Sequence, residues 1–184
     1  MSYYSIKELT NIGLKTYGTN VSISRFARLY NPGNITIGNN IRIDDFCILS
    51  AGKNPFVLED WIHIAAGVYI WGNEGFHVKS FSNISAGTKI YTQSDSYCGH
   101  HMIGPLIPSE LRKVYGSPLV LEKHVIIGAG SIILPGVKLG EGVAIGSNSL
   151  VIKNCDAWGI YAGSPAKRIK ERSKKVLELE QQLS

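Results

Sequence analysis

The sequence predicts an all-β chain wound as a three-sided coil of short parallel strands, with a short helix at each end. Three observations predict it: an aliphatic residue returning at every sixth position from Leu121 to Val151, a small or β-branched residue four places after each, and capping signals at both termini.

The repeat carries the architecture. Leu121, Ile127, Ile133, Leu139, Ile145 and Val151 form the aliphatic series, and Val125, Ser131, Val137, Val143, Ser149 and Cys155 form the small one. Gly follows the aliphatic residue at 128, 140 and 146. A helix repeats at about 3.6 residues and a strand at about 2, so neither gives a period of six with two inward positions of unequal size. A triangular prism does: each side is one strand, the aliphatic residue fills the interior, the small one lies near the corner, and three units complete a turn. The Gly is expected to adopt backbone angles closed to other residues.

The same phase returns upstream with interruptions. Ile37-Gly38 with Ile41, Ile43-Asp44 with Cys47, and Leu49 form one set; Leu58, Ile64 with Val68, and Ile70 another; Ile84 with Thr88 and Ile90 with Ser94 a third. Cys47 and Cys155 thus read as small core residues. The breaks at Ala51 to Pro55, Gly72 to Asn83 and Ser96 to Pro118 predict loops thrust out from the prism, where functional residues tend to sit.

At the N-terminus Ser5 and Glu8 have capping-box spacing and Gly13 is placed to end a short helix that covers the open coil. At the other end Ser164 is placed to cap a helix beginning at Pro165, with Ile169, Val176, Leu179 and Leu183 on one face and Glu171 to Lys175 as an i, i+4 pair. The 184 residues therefore divide as one domain: a cap over 1–20, a coil over 21–163 carrying the 96–118 loop, and a helix over 164–184.

Composition narrows the function. Residues 1–30 hold neither a bilayer-spanning apolar run nor a cleavable leader pattern, so a soluble cytoplasmic protein with no membrane partner is expected. Three cysteines without close pairing disfavour a zinc knuckle or a redox motif. The net charge of +5 draws heavily on Lys167, Arg168, Lys170, Arg172, Lys174 and Lys175, with acidic residues among them and no aromatics to stack on bases. That pattern argues against nucleic acid and leaves a solvated face or a phosphate site.

The stretch HVIIGAGSIILPGVKLGEGVAIGSNSLVIKN from His124, and the closing Ala162-Gly163-Ser164-Pro165-Ala166-Lys167, resemble the hexapeptide-repeat acyltransferases. The likeness is greatest to the sugar and nucleotide-sugar acetyltransferases of bacterial surface-polysaccharide pathways. The resemblance implies a left-handed parallel β-helix, a homotrimer with its sites between subunits, and acetyl-coenzyme A as cosubstrate with no metal. Carried over by position, it implies a coenzyme A groove formed by Gly128, Ala129, Gly146, Ser147, Lys153, Ala162, Gly163, Lys167 and Arg168. A pantetheine arm can pair with backbone amides only where side chains are small, and a terminal phosphate calls for Lys or Arg.

Many O-acetyltransferases of this fold carry a Thr-Gly-His-Pro-like segment whose His removes the acceptor's proton. Here the matching segment is Thr92-Gln93-Ser94-Asp95, which has no His. The acceptor-side candidates are His100 and His101 in the large loop, His124 before the groove-forming units, and Asp95 as a holder of the acceptor's polar groups; His63 ranks below them. A hydroxyl must lose its proton as it attacks a thioester, whereas a neutral amine attacks directly. The expected reaction is therefore N-acetylation of a nucleotide-linked amino-dideoxysugar, with O-acetylation of a saccharide as the alternative. Transfer is expected to be direct, with a backbone N–H at Ala129 or Gly146 holding the thioester oxygen, since Cys98 is the only plausible nucleophile and no His–Asp pair is recognisable around it. A zinc lyase resembling γ-carbonic anhydrase and a non-enzymatic scaffold are the remaining classes.

Overall fold

In the computed structural model, which describes residues 3–183, the chain is a left-handed parallel β-helix with three flat faces. The first face stacks Thr16–Tyr17, Ile35–Ile37, Phe56–Leu58, Phe76–Val78, Leu119–Leu121 and Lys138–Leu139. The second stacks Val21–Ile23, Ile41–Ile43, Ile62–Ile64, Asn83–Ile84, Ile126–Ile127, Ala144–Ile145 and Gly159–Ala162. The third stacks Arg28–Tyr30, Ile48–Ala51, Tyr69–Gly72, Lys89–Tyr91, Ile132–Ile133 and Leu150–Val151.

Register places like on like. On the second face Ile43, Ile64, Ile84, Ile127, Ile145 and Tyr161 form one column, and on the third Leu49, Ile70, Ile90, Ile133 and Val151 form another. These residues are buried, as are the smaller Cys47, Val68, Thr88, Ser131 and Ser149. Burial of each large aliphatic side chain contributes about 1.5–3 kcal/mol, so the columns supply most of the drive to stack. The hydroxyls among the small residues satisfy corner carbonyls: Ser149 Oγ and Ser131 Oγ donate to Gly146 O at 2.7 and 3.0 Å, and Thr88 Oγ1 donates to Ser85 O at 2.8 Å. Burial pushes the thiols of Cys47 and Cys155 up to about 11, in keeping with their place in the core.

The left-handed turns need residues with positive φ, but not the glycines that the repeat singled out. Gly67, Gly87, Gly130, Gly136 and Gly142 take those angles, with Asn148 and His124. Gly128, Gly140 and Gly146 are absent from that set, and close approach explains them instead. A Cβ on Gly128 would lie 2.5 Å from Ser147 N, and one on Gly140 2.6 Å from Ala157 N, each on the next coil.

Along the corner between the first and second faces the positive-φ residues are Asn20 and Asn40 on the first coils, then the aromatic Trp61, Phe81 and His124, and after Gly142 the aromatic Trp158. A bulky residue in this region costs about 1–2 kcal/mol. Ring stacking offsets it, with centroids 6.1 Å apart for Trp61–Phe81, 5.3 Å for Phe81–His124 and 6.3 Å for His124–Trp158. Gly142 leaves the gap that the Trp158 indole fills to reach His124.

Both ends differ from expectation, the C-terminal one more. Ile6–Leu9 is the short N-terminal helix, with Ser5 N–H donating to Glu8 Oε2 at 2.8 Å; Glu8 also pairs with Arg25 and is held at about 2, chiefly by Arg25. The coil, however, already begins at Thr16–Tyr17 rather than at residue 21. At the C-terminus no helix starts at Pro165: Lys167–Glu171 turns back as an antiparallel strand on Gly159–Ala162, and the helix is confined to Val176–Glu180. The exposed edge of the last coil is a stronger partner for this segment's backbone than a solvated helix, since it satisfies both. Nor is Gly72 to Asn83 a thrust-out loop, because it supplies the regular strand Phe76–Val78. The excursion at 96–118 is real; its neck is a two-stranded antiparallel pair, Gln93–Asp95 with Val114–Gly116.

Candidate functional site

The corner between the second and third faces is lined by small residues over five coils: Ala65-Ala66, Ser85-Ala86, Gly128-Ala129, Gly146-Ser147 and Ala162-Gly163. In register, Ala65, Ser85, Gly128, Gly146 and Ala162 form one column. The result is a smooth seam along which backbone is reachable. Its N–H groups are not equivalent. Those of Gly128 and Gly146 donate to Ile145 O at 2.8 Å and Tyr161 O at 2.7 Å, so Gly146 cannot offer the free donor expected of it. The N–H of Ala129 has no partner among the described residues, and Ala129 is exposed. Of the two expected donors to a thioester oxygen, Ala129 is the one with an open position.

At the foot of the seam the C-terminal strand pairs Lys167 with Ala162 and Arg168 with Tyr161, which brings two cations beside the last coil. Arg168 Nη2 is held by Glu171 Oε1 at 2.6 Å, while Lys167 makes no ion pair among the described residues. Lys153 is exposed beyond Leu150–Val151, at the corner after the third face, and so is not on the seam.

At the head of the seam lies a polar cluster that the sequence reading underweighted. Arg42, His63 and Asn83 are the outward residues of three stacked strands, and Asp44 and Ser85 stand in the seam column beside them. His63 Nε2 contacts Asp44 Oδ2 at 2.8 Å and His63 Nδ1 contacts Asn83 Oδ1 at 3.0 Å. Asn83 Nδ2 donates to Ser85 Oγ at 3.3 Å. Asp44 also accepts from Arg42 Nε at 2.7 Å and Tyr3 OH at 2.9 Å. Burial works against the Asp44 charge, but the hydrogen bonds from His63, Arg42 and Tyr3 outweigh it and keep the carboxyl below its ordinary range. The available signal was positional: Arg42, His63 and Asn83 each precede a core isoleucine of the repeat, so their side chains share one outer face.

The remaining candidates lie apart from the seam. Asp95 and His101 come together in a pocket of the excursion with Tyr97, Met102 and Ile103, and Asp95 Oδ2 accepts from Gly104 N at 3.2 Å. His100 is exposed on the same loop. Cys98 stands beside them, its thiol pulled down to about 7 by the Ser96 hydroxyl at 2.9 Å, the His100 backbone N–H and His101. His124 is not brought to the seam: it is buried in the aromatic corner, with Nε2 2.8 Å from Glu180 Oε2. Among the described residues no group of three or more His, Cys, Asp or Glu is placed to hold a metal ion, and no helix is long and apolar enough to cross a membrane.

A three-sided left-handed coil with a smooth seam, a basic foot and a polar head defines a class, and residues 118–153 match the bacterial transferase hexapeptide model, six repeats. The chain belongs to the hexapeptide-repeat acyltransferases, enzymes that use acyl-coenzyme A. Within that family it is 46% identical to the dTDP-4-amino-4,6-dideoxy-D-glucose acyltransferase of Escherichia coli, over 98% of this chain and 94% of that one. It also superposes with a TM-score of 0.95 on a variant of AntD, an N-acyltransferase from Bacillus cereus, in complex with dTDP-4-amino-4,6-dideoxyglucose and coenzyme A; identity is 45%, covering 99% of this chain and 96% of that one. AntD in complex with dTDP and 3-hydroxybutyryl-CoA is similar at TM-score 0.94 and 46% identity, with 99% and 96% coverage.

Proposed function

We propose that this chain transfers an acyl group from acyl-coenzyme A to the amino group of a dTDP-linked 4-amino-4,6-dideoxyhexose. The observation that carries the reading is the polar head placed directly above the smooth seam, on a chain aligned nearly end to end with relatives that act on, or bind, such a sugar. The residues present fit coenzyme A: the seam admits a thin amide-rich arm, Ala129 offers an open N–H, and Lys167 with Arg168 offers cations for a phosphate.

In the reaction the neutral amine nitrogen attacks the thioester carbonyl carbon, a C–N bond forms and the C–S bond breaks. The amine loses one proton and the departing thiolate gains one, so amide and free coenzyme A leave with the balance closed. The Ala129 N–H is placed to hold the carbonyl oxygen as negative charge builds on it. Arg42, Asp44, His63 and Asn83 form a fixed hydrogen-bonded array that bounds the acceptor side. Asp95 and His101 are proposed to complete it from the excursion of a neighbouring subunit. Tyr97 and Leu106 of that excursion are 95% and 96% exposed, which supports a homotrimer in which they are covered. Use of acyl-coenzyme A and a nucleotide sugar supports a cytoplasmic location, and three free thiols agree with it.

Purified protein assayed with acetyl-coenzyme A and a panel of dTDP-, UDP- and GDP-linked aminosugars tests this. Acylation of the dTDP-4-amino-4,6-dideoxyhexose is expected; turnover of plain saccharides and of none of the aminosugars would overturn it.

A further inference from the structure

The array at the head of the seam has a direction. Asp44 Oδ2 is its terminal acceptor, 2.8 Å from His63 Nε2, and the other ring nitrogen faces Asn83 Oδ1 at 3.0 Å. With an oxygen at each nitrogen, the ring is fixed between Asp44 and Asn83. Asn83 then passes its own N–H to Ser85 Oγ at 3.3 Å. Ser85 Oγ is thus used as an acceptor from behind, and its O–H proton is not claimed among the described residues. Donors aligned in this way polarise one another, so the last is the strongest.

Ser85 stands in the column of Gly128, and its N–H donates to Ile127 O at 2.9 Å, which fixes the residue one coil from the open N–H of Ala129. Adjacent coils are about 4.8 Å apart, so one oxygen atom between them can take a hydrogen bond from each.

Resting on the acyl-transfer reading above, we infer that His63, braced by Asp44, is a positioning residue that acts through Asn83 to hold the Ser85 hydroxyl as a second donor to the thioester oxygen. His63 does not remove the acceptor's proton. Its side chain is tied on both nitrogens and reaches the reacting atoms only through two intervening groups. Asp44 in turn is held by Arg42 and Tyr3, so the brace belongs to the coil surface and not to the mobile acceptor.

A double-mutant cycle tests the inference on the full-length enzyme, with acetyl-coenzyme A and the dTDP-aminosugar. Ser85→Ala is expected to lower kcat about a hundredfold, the scale of losing one oxyanion donor. His63→Ala is expected to lower it about tenfold with both KM values within about threefold, and His63→Ala with Ser85→Ala is expected to be no slower than Ser85→Ala alone. Additive losses, a change in KM alone, or an unaltered kcat in His63→Ala would overturn the inference while leaving the acyl-transfer reading in place. Absence of wild-type turnover with any aminosugar would overturn both. Should His63→Ala fail to fold by circular dichroism, Asn83→Ala cuts the same array one link later and is held to the same outcomes.

Discussion

Replacing Gly128 by Ala measures what the glycine after each aliphatic residue is for. The new Cβ would sit 2.5 Å from Ser147 N and 2.8 Å from both Gly146 C and Ile145 O, against an ordinary contact that begins at 3.4 Å. All three are backbone atoms of the next coil, so no side chain can swing away. Relief requires the coils to part, which lengthens the 2.8 Å bond from Gly128 N to Ile145 O and strains the Ser131 Oγ bond to Gly146 O. Overpacking of this kind costs about 1–3 kcal/mol, and each weakened hydrogen bond adds about 1 kcal/mol, for about 4 kcal/mol in all. Gly136 is the control: its φ is +76° and its added Cβ would meet only the Ser117 side chain, at 3.3 Å, so Gly136→Ala costs about 1–2 kcal/mol for the left-handed backbone. For a chain of this size each kcal/mol moves the melting temperature by about 2–4 °C. Thermal unfolding at one fixed protein concentration should show Gly128→Ala losing about 10 °C and Gly136→Ala less than half of that. Equal losses, or a larger one at Gly136, would refute the assignment of Gly128 to close approach.

Further outcomes follow from the same geometry. Native protein treated with iodoacetamide is expected to be alkylated first at Cys98, with a rate that rises through a midpoint at about pH 7, while Cys47 and Cys155 stay unmodified; peptide mapping checks this, and early labelling of either buried thiol would contradict it. Lys167→Ala should raise KM for acetyl-coenzyme A about tenfold and leave KM for the 3′-dephospho form unchanged, and an equal rise for both would remove Lys167 from the phosphate. Glu180 is held below its ordinary range, first by Lys123 and also by His124, so its contribution is present above the unfolded carboxyl pKa and is lost as the pH falls through the folded one. Glu180→Gln should therefore melt below wild type near neutral pH, by less than about 1 kcal/mol at this partly exposed site, with the gap closing below about pH 4. A gap that widens in acid would show the sign to be wrong.

The coil was legible because one period of six serves every face: Ile127, Ile133 and Leu139 stand on three different faces yet obey one rule. What the repeat did not disclose was chemistry carried between coils. His63, Asp44 and Asn83 are about twenty positions apart in sequence and meet only because the strands stack in register. A histidine between two isoleucines looks like decoration until its neighbours above and below are known. His124 failed as a candidate for a related reason. It occupies a corner whose partners, Phe81 and Trp158, come from the coil before and from two coils after, and whose carboxylate comes from the terminal helix. The C-terminal segment misled because helix capping is local, whereas the pairing of Lys167–Glu171 depends on an exposed strand edge that no local signal reports. The seam fared better, since small residues at 128–129, 146–147 and 162–163 are visible in sequence; which of their N–H groups stay free is settled only by the hydrogen bonds between coils.

Where the 96–118 excursion leaves and rejoins the coil, Ser117 N donates to Thr92 O at 2.9 Å, and the strands on either side keep their stacking, Asn83 on Ile126 and Lys89 on Ile132. Its two ends are therefore clasped by this bond and by the pairing of Gln93–Asp95 with Val114–Gly116, and the scaffold closes beneath it as if nothing had been inserted. Lengthening such an insert costs only the logarithm of its size in chain entropy. Descendants of this architecture can thus exchange the part that meets the acceptor while the rails that guide the donor stay untouched.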